Sequence, residues 1–214
     1  MPASTIYRPV IRSFKPPFAA NAAAWVRSGG HAVLWETPSR GLLILPKPDP
    51  KDLHDLALWS LMDLGKDTWD EPKTGMFRGL ATAKVPRDCA EIVKNRTIRD
   101  AVHEGPTRRM RLDCLECGAC CQDNEVVLED ADPARFLEAG RPELLKKPYT
   151  RRRKDGRVVL TLKKDKRCHH LGRDNKCAVY TMRPNACREF PAGSECCLWA
   201  RFEEKDAVDG DRWD

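Results

Sequence analysis

Nine of the ten cysteines in this 214-residue chain lie between Cys114 and Cys197, and only Cys89 stands apart. In a reducing compartment, cysteines clustered in this way are more often metal ligands than disulfide partners. Thiolates lie about 2.3 Å from zinc or iron, so several of them must converge on one point. The spacing therefore predicts a fold in which distant segments of the chain meet at a metal centre.

The densest segment is Cys114-Leu-Glu-Cys117-Gly-Ala-Cys120-Cys121. Gly118 suits the left-handed conformation that a chain wrapped around a metal requires. In a turn-rich loop, Cys114, Cys117 and Cys120 converge and Cys121 faces away. In a helix, Cys114, Cys117 and Cys121 share one face and Cys120 does not. In either case one neighbour is left for a second metal or a structural role.

Five further cysteines follow at wider intervals: Cys168, Cys177, Cys187, Cys196 and Cys197. Ligands this far apart close long loops, so a bound metal stabilises the fold. The composition favours such help, because aromatic residues make up only 7% of the chain and charged residues 33%.

These segments resemble the YkgJ-like family of zinc- or iron-chelating proteins, known for a CxxCxxCC motif. The order of the cysteines matches, as do the Arg183-Pro184 pair and the Cys187-Arg188 step. The resemblance covers about residues 108–200 and implies eight metal-ligating cysteines. The adjacent Cys196 and Cys197 leave open which of them is the eighth. The predicted ligands are Cys114, Cys117, Cys120, Cys121, Cys168, Cys177, Cys187 and one of Cys196 and Cys197, in one site or two.

The spacing of Cys114, Cys117 and Cys120 is the one that bacterial ferredoxins use for three ligands of a [4Fe–4S] cluster. Zinc sites more often use two separated CxxC pairs, and the later cysteines contain none. An iron–sulfur cluster is therefore the predicted cofactor, with zinc as the alternative. Arg183 and Arg188 are predicted to donate to its sulfur atoms.

Two functions fit these features. The first is an iron–sulfur protein that carries electrons for a partner enzyme or assists a modification enzyme; relatives such as the flagellin lysine methylases join a domain of this kind to a further region. The second is a zinc-stabilised module that contacts a protein or nucleic acid. No phosphate loop, nucleophile elbow, HExxH motif or dinucleotide fingerprint suggests an independent catalytic site.

The charge pattern bears on the partners of such a protein. Between Arg141 and Arg188, Lys and Arg outnumber Asp and Glu by sixteen to four, a net charge of +12. This surplus exceeds what thiolate centres need, so a partner surface or nucleic acid is expected near the basic run Arg151-Arg152-Arg153-Lys154. No apolar run is long enough to span a membrane and no secretory leader is visible, so we expect a cytoplasmic protein.

The predicted fold class is α+β, with an N-terminal mixed α/β region over residues 1–105 and a cysteine-rich domain over residues 106–214. Residues 1–28 are expected to form an irregular arm, interrupted by prolines. A β-hairpin is predicted from His31-Ala-Val-Leu-Trp-Glu36 and Gly41-Leu-Leu-Ile-Leu45. A helix is expected to begin at Asp49-Pro50 and to end at Gly65.

The remaining elements are predicted to be short. Residues 66–88 are expected to be loop-rich and residues 89–103 to contain a helix. A strand is predicted over residues 108–112 and a third helix from Asp132 to Gly140. The last element is a hairpin over residues 151–162, turning at Lys154-Asp155-Gly156.

Overall fold

The computed structural model describes residues 4–205 and residue 207. It contains 35% helix and 24% strand, which confirms the α+β class. The chain divides into two compact units. The N-terminal unit comprises residues 5–110 and 193–196, and the cysteine unit comprises residues 111–192, the described residues from Cys197 onward and Ser4. The predicted boundary near residue 105 stays a prediction. Over the described residues, no helix has both the length and the apolar character that crossing a membrane requires.

The N-terminal unit is built on a four-stranded mixed sheet. Its strands and helices are β1 (Ser4–Pro9), β2 (Ile11–Phe14), α1 (Ala19–Arg27), β3 (His31–Thr37), β4 (Arg40–Pro46), α2 (Leu56–Met62), β5 (Leu80–Lys84), α3 (Ala90–Asp100) and β6 (Thr107–Leu112). The first residue of β1 and the last two residues of β6 belong to the cysteine unit. The strand order is β2-β3-β4-β5, in which β2 runs parallel to β3 and the other pairs are antiparallel. Strands β1 and β6 form a separate two-stranded sheet.

Apolar side chains cover both faces of the four-stranded sheet. On one face, Val33 and Leu43 pack with Leu61 of α2 and Val93 of α3. On the other face, the small residues of α1 pack against Ala32 and Ile44. Alternate residues of a strand point to opposite faces, so a strand buried on both sides has a nearly continuous apolar sequence. This explains the run over residues 41–45.

The predicted hairpin is confirmed, because β3 and β4 pair directly with one irregularity between Trp35 and Thr37. The predicted start of the next helix is wrong. The capping residue is Asp55, whose carboxylate accepts the amide of Ala57 at 2.8 Å, and not Asp49. The helix ends at Met62, three residues before the predicted Gly65, whose φ of 65° instead belongs to the turn that follows.

Two further expectations are corrected. Within the described part of residues 1–28 the chain forms β1, β2 and α1 rather than an irregular arm, and residues 1–3 lie outside the described residues. The prolines lie at element ends: Pro9 closes β1, and a 3-10 turn begins at Pro16. The expected loop over residues 66–88 contains β5, whose alanines are buried between neighbouring layers. The predicted helix over residues 89–103 is confirmed by α3.

The cysteine unit has short elements around a small core. They are α4 (Cys114–Cys117), α5 (Ala131–Glu138), β7 (Thr150–Arg152), β8 (Val158–Leu160), α6 (Asn185–Arg188) and α7 (Glu195–Lys205), whose first two residues belong to the N-terminal unit. Phe136, Leu144 and Leu160 are buried at the centre, and Cys168 and Cys177 pack against them. The predicted strand (β6), third helix (α5) and second hairpin (β7 and β8) are confirmed.

Candidate metal centre

The first four cysteines lie on two consecutive tight turns. Asp113 caps α4, because its carboxylate accepts the amide of Leu115 at 2.9 Å. Gly118 ends the helix at a φ of +61°, and a 3-10 turn over Ala119–Cys121 follows. A Cβ atom at Gly118 would lie 3.0 Å from the carbonyl oxygen of Asn175. The glycine therefore permits both the left-handed backbone and the close approach of the segment that carries the later cysteines.

Cys168 and Cys177 each lie at the end of a hairpin turn. Leu162 pairs with Cys168 and Leu171 pairs with Cys177 as isolated antiparallel bridges. The amide of Cys168 donates to the carbonyl of Cys121 at 2.9 Å, which brings the first segment to the second. The amides two residues further along, at His170 and Val179, donate to the two thiols and act to lower their pKa. Such bonds favour the thiolate form that a metal ligand needs.

Cys187 is placed by a buried carboxylate that the sequence analysis did not identify. Asp132 of α5 is fully buried and accepts the amide of Asn185 at 3.0 Å, at the first residue of α6. Arg135 donates to Asp132 at 2.8 Å and to the side-chain oxygen of Asn185 at 2.6 Å. This network holds the two helix starts together and fixes the turn that carries Cys187. The sequence carried one signal for this network, since Asp132 lies three residues before Arg135 at the predicted start of a helix, a spacing that allows an ion pair.

Electrostatic contacts divide the eight cysteines into two groups. In the first thiol group (Cys114, Cys117, Cys120 and Cys197), the pKa of Cys120 is raised well above its usual value. The causes are a hydrogen bond with Cys121 and burial, followed by the charges of Cys121, Cys114 and Cys197. The pKa of Cys114 is raised by burial and then by Cys117. The charges of Cys114 and Cys197 thus act on Cys120, and that of Cys117 acts on Cys114.

The second thiol group consists of Cys121, Cys168, Cys177 and Cys187. Burial raises the pKa of Cys187 to about 12, and the other three thiols of this group add to the shift. The pKa of Cys168 is raised to about 11, again by burial first and then by Cys121 and Cys177. The pKa of Cys121 is lowered, because Cys120 hydrogen-bonds to it. The backbone follows neither alternative throughout, because α4 carries Cys114 and Cys117 and Gly118 ends this helix before the 3-10 turn that carries Cys120 and Cys121. Which thiols bind metal stays a prediction.

As the side chains stand, no three His, Cys, Asp or Glu residues of the described chain lie close enough together to hold an ion. The charges around the thiols nevertheless bear on whether these residues fit a metal centre. Arg201 of α7 is only 1% exposed, and its Nη1 donates to the sulfur of Cys117 at 3.4 Å. Its Nε and Nη2 are buried and have no hydrogen-bond partner.

A buried guanidinium with two unsatisfied nitrogens is costly unless negative charge lies beside it. Four thiolates around Zn²⁺ or around a [4Fe–4S]²⁺ core carry a net charge of about −2 by formal counting. The residues of the first thiol group therefore fit an anionic metal–thiolate centre. Arg201 lies four residues after Cys197, on the same face of α7, and this helical spacing was the signal for it in the sequence.

Arg183 and Arg188 have different surroundings. Arg183 stacks on the ring of Tyr180 at 4.1 Å, and its charge lowers the pKa of Cys121, which places it beside the thiols. Arg188 is exposed and donates to the carbonyl oxygens of Arg183, at 2.9 Å, and Thr181. Arg188 therefore braces the loop before Cys187. The role of both arginines toward a cofactor stays a prediction.

Cys89 and Cys196 belong to the N-terminal unit, whereas all eight cysteines of the two thiol groups belong to the cysteine unit. Cys89 packs against the apolar cluster formed by one face of the sheet with helices α2 and α3. The thiol of Cys196 donates to a carboxylate oxygen of Asp63 at 3.0 Å, and burial followed by this carboxylate raises its pKa to about 12. No disulfide forms among the ten cysteines, all of which are described.

Comparison with protein-family models matches residues 113–208 to the family described as "Putative zinc- or iron-chelating domain", CxxCxxCC. No curated protein and no solved structure matches the chain. The matched segment includes all eight cysteines of the two thiol groups and Arg201. The resemblance inferred from the sequence is thereby confirmed, because residues 113–208 match the model of the CxxCxxCC family of zinc- or iron-chelating domains.

Proposed function

We propose that the first thiol group holds an iron–sulfur cluster of the [4Fe–4S] type, and that the protein carries electrons for a partner enzyme or assists a modification enzyme. The observation that carries this proposal is the combination of ligands. Three cysteines at CxxCxxC spacing lie on successive turns, and a fourth comes from a distant helix. This is the arrangement that bacterial ferredoxins use.

The surroundings support a redox-active centre. Cys114 is exposed, whereas Cys117, Cys120 and Cys197 are half-buried, so one edge of the group lies at the surface. The guanidinium of Arg201 lies against the sulfur of Cys117 from the protein interior. When bound, a [4Fe–4S] cluster supplies one-electron chemistry, and nearby charge and hydrogen bonds to sulfur set its reduction potential. Arg201 would provide both.

We propose that the second thiol group holds a single metal ion with a structural role. Its four thiols come from four separate turns, and two of them accept backbone amides, an arrangement that suits tetrahedral zinc. An ion here would join the start of the domain to the turns before Cys168, Cys177 and Cys187. If zinc also filled the first group, the protein would be a zinc-stabilised interaction module, which is the second candidate function.

Metal and sulfide analysis of protein purified without oxygen tests these assignments. We expect iron, acid-labile sulfide and broad visible absorbance, together with one further metal ion. The variant C120S should lose the sulfide and the absorbance, because it removes a ligand of the first group. The variant C177S should lose the single ion, and C89S should lose nothing. A colourless protein with two zinc ions and no sulfide would refute the cluster and favour the zinc module.

A further inference from the structure

Three successive turns of the cysteine unit share one backbone geometry. They are Arg153–Arg157, Lys163–Arg167 and Gly172–Lys176. In each, the amide of the first residue donates to the carbonyl of the fifth at 2.8 Å, and the amide of the fourth donates to the carbonyl of the first. The fourth residue is left-handed in every case, with φ values of 86°, 64° and 62°. The chain therefore repeats one tight hairpin turn three times.

The side chains repeat as well. The third residue of each turn is an aspartate whose carboxylate accepts the amide of the fifth residue, at 3.1 to 3.2 Å. The second and fifth residues are basic in all three turns. The second residues, Lys154, Lys164 and Arg173, are exposed, and no hydrogen bond or ion pair engages their side chains within the described part of the chain. Each turn thus presents an uncompensated positive charge at its tip.

Hydrogen bonds hold the three turns side by side. Arg167, in the second turn, donates to the carbonyl of Gly172, at 2.7 Å, and to the side chain of Asn175, at 3.1 Å, both in the third turn. The first two turns both contact the short segment over residues 122–125. There, Glu125 accepts from Arg153 at 2.9 Å, and the amide of Asp123 donates to the carbonyl of Lys166 at 3.0 Å. The three tips therefore belong to one surface, which we call the basic turn surface.

The basic turn surface adjoins the second thiol group. Cys168 follows the last residue of the second turn directly, and Cys177 follows that of the third. A molecule bound at these turns would lie one residue from the predicted ligands. Charge complementarity at such a surface mainly raises the rate of encounter and fixes the orientation of the partner. Weak redox encounters use small interfaces of this kind.

We infer that the basic turn surface docks an acidic face of a protein partner. That this partner exchanges electrons rests on the proposed function, whereas docking itself does not. Two features favour a protein over nucleic acid. An aspartate in every turn separates two basic side chains, so the positive charge is broken into isolated points that match the separate carboxylates of a protein better than the continuous charge of a phosphate backbone. Residues 150–179 contain no Phe, Tyr or Trp, so the three turns themselves carry none of the large aromatic rings on which unpaired bases stack.

Fluorescence anisotropy with a labelled peptide of alternating Glu and Gly tests this inference on the full, metal-loaded protein at low salt. The triple variant K154Q/K164Q/R173Q removes the three uncompensated tips. Each exposed ion pair contributes little to binding, so the loss of three such pairs should lower the affinity about tenfold. The control variant K15Q/K51Q/K84Q removes three exposed charges of the N-terminal unit and should bind as the parent does.

Three results would overturn the inference. The first is equal loss of affinity in the two triple variants, which would mean that only net charge matters. The second is no binding of the peptide by the parent. The third is tighter binding of the parent to a 20-base-pair duplex than to the peptide, with a loss of duplex affinity in the turn variant and none in the control variant. This result would assign the surface to nucleic acid. Metal and sulfide content, measured on the same samples, reports separately on the proposed function.

Discussion

Replacing the buried Arg201 with methionine should have opposite effects on the metal-loaded and metal-free protein. Methionine has a similar length and can fill the space that the aliphatic part of the arginine occupies. The substitution removes the donor to Cys117 and the two unsatisfied nitrogens together. Its effect therefore depends on whether negative charge is present at the first thiol group.

In the loaded protein, the guanidinium would face the negative charge of the proposed metal–thiolate centre. Removing one partner of a buried charge pair typically costs about 3–5 kcal/mol, because the other charge is left uncompensated. Small domains have only about 5–15 kcal/mol of stability in total, so this loss should be large. With a urea slope of about 1–3 kcal/mol per molar, the unfolding midpoint should fall by about 1 M or more.

In the metal-free protein, Cys114 and Cys120 are protonated at neutral pH, because their pKa values are raised. The guanidinium then lies in the interior without a counter-charge. Replacing such a group with an apolar side chain is neutral or stabilising by about 1–4 kcal/mol. The variant R201M should therefore be as stable as the parent without metal, or more stable.

The assay is urea unfolding of both forms without oxygen, followed by tryptophan fluorescence, at one protein concentration and one excess of metal. The exposed arginine variant R173M is the control and should change stability by less than about 0.5 kcal/mol in either form. If R201M destabilises the loaded and the metal-free protein by the same amount, Arg201 acts through packing alone. The inference of an anionic centre beside it would then be refuted.

Three further predictions concern single positions. G118A should lower the thermal unfolding temperature clearly more than G140A does. Both glycines have a positive φ, but of the two only Gly118 has backbone and side-chain atoms within 3.1 Å of a new Cβ. Equal losses would mean that this close approach does not affect stability. Burial lowers the pKa of His31 to about 3. Between about pH 6.5 and 3 this side chain therefore binds a proton in the unfolded state but not in the folded state. The free energy of unfolding should fall over this range by up to about 1.4 kcal/mol for each pH unit of acidification. H31Q should flatten that slope in metal-free protein, and an unchanged slope would contradict the assignment. C197S should lose the iron of the first group while C196S keeps it; the reverse result would exchange their roles.

Local sequence patterns were sufficient for elements that a few neighbouring residues determine. The apolar run over residues 41–45 predicted β4, and the Asp-Gly step predicted the turn between β7 and β8. The same reasoning failed where packing decides. The alanines of α1 form a helix because small side chains fit closely against the sheet, although three prolines nearby suggested an irregular arm. Strand β5 is short and rich in alanine, so only its place in the sheet identifies it.

The candidate site was predictable in its membership but not in its grouping. The motif identifies the cysteines, yet the sequence does not say which distant thiols approach each other, because that depends on hydrogen bonds between segments. The bond from Cys168 to Cys121 spans 47 positions of the chain, and the anchor at Asp132 lies 53 positions before Asn185. The repeated basic turns, by contrast, were visible in the sequence as an aspartate between basic residues every nine or ten positions.

The motif ends in two consecutive cysteines, Cys120 and Cys121, and the two thiol groups suggest a reason for this. Their thiols contact each other, yet one has its remaining neighbours in the first thiol group and the other in the second. A peptide unit is rigid, so the position of one side chain limits the position of the next. Metal bound at the second thiol group would therefore hold Cys120 in a position from which it could bind metal in the first thiol group. If both groups bind metal as proposed, the second centre would position Cys120 for the first, and a chain with only CxxCxxC would lack that support.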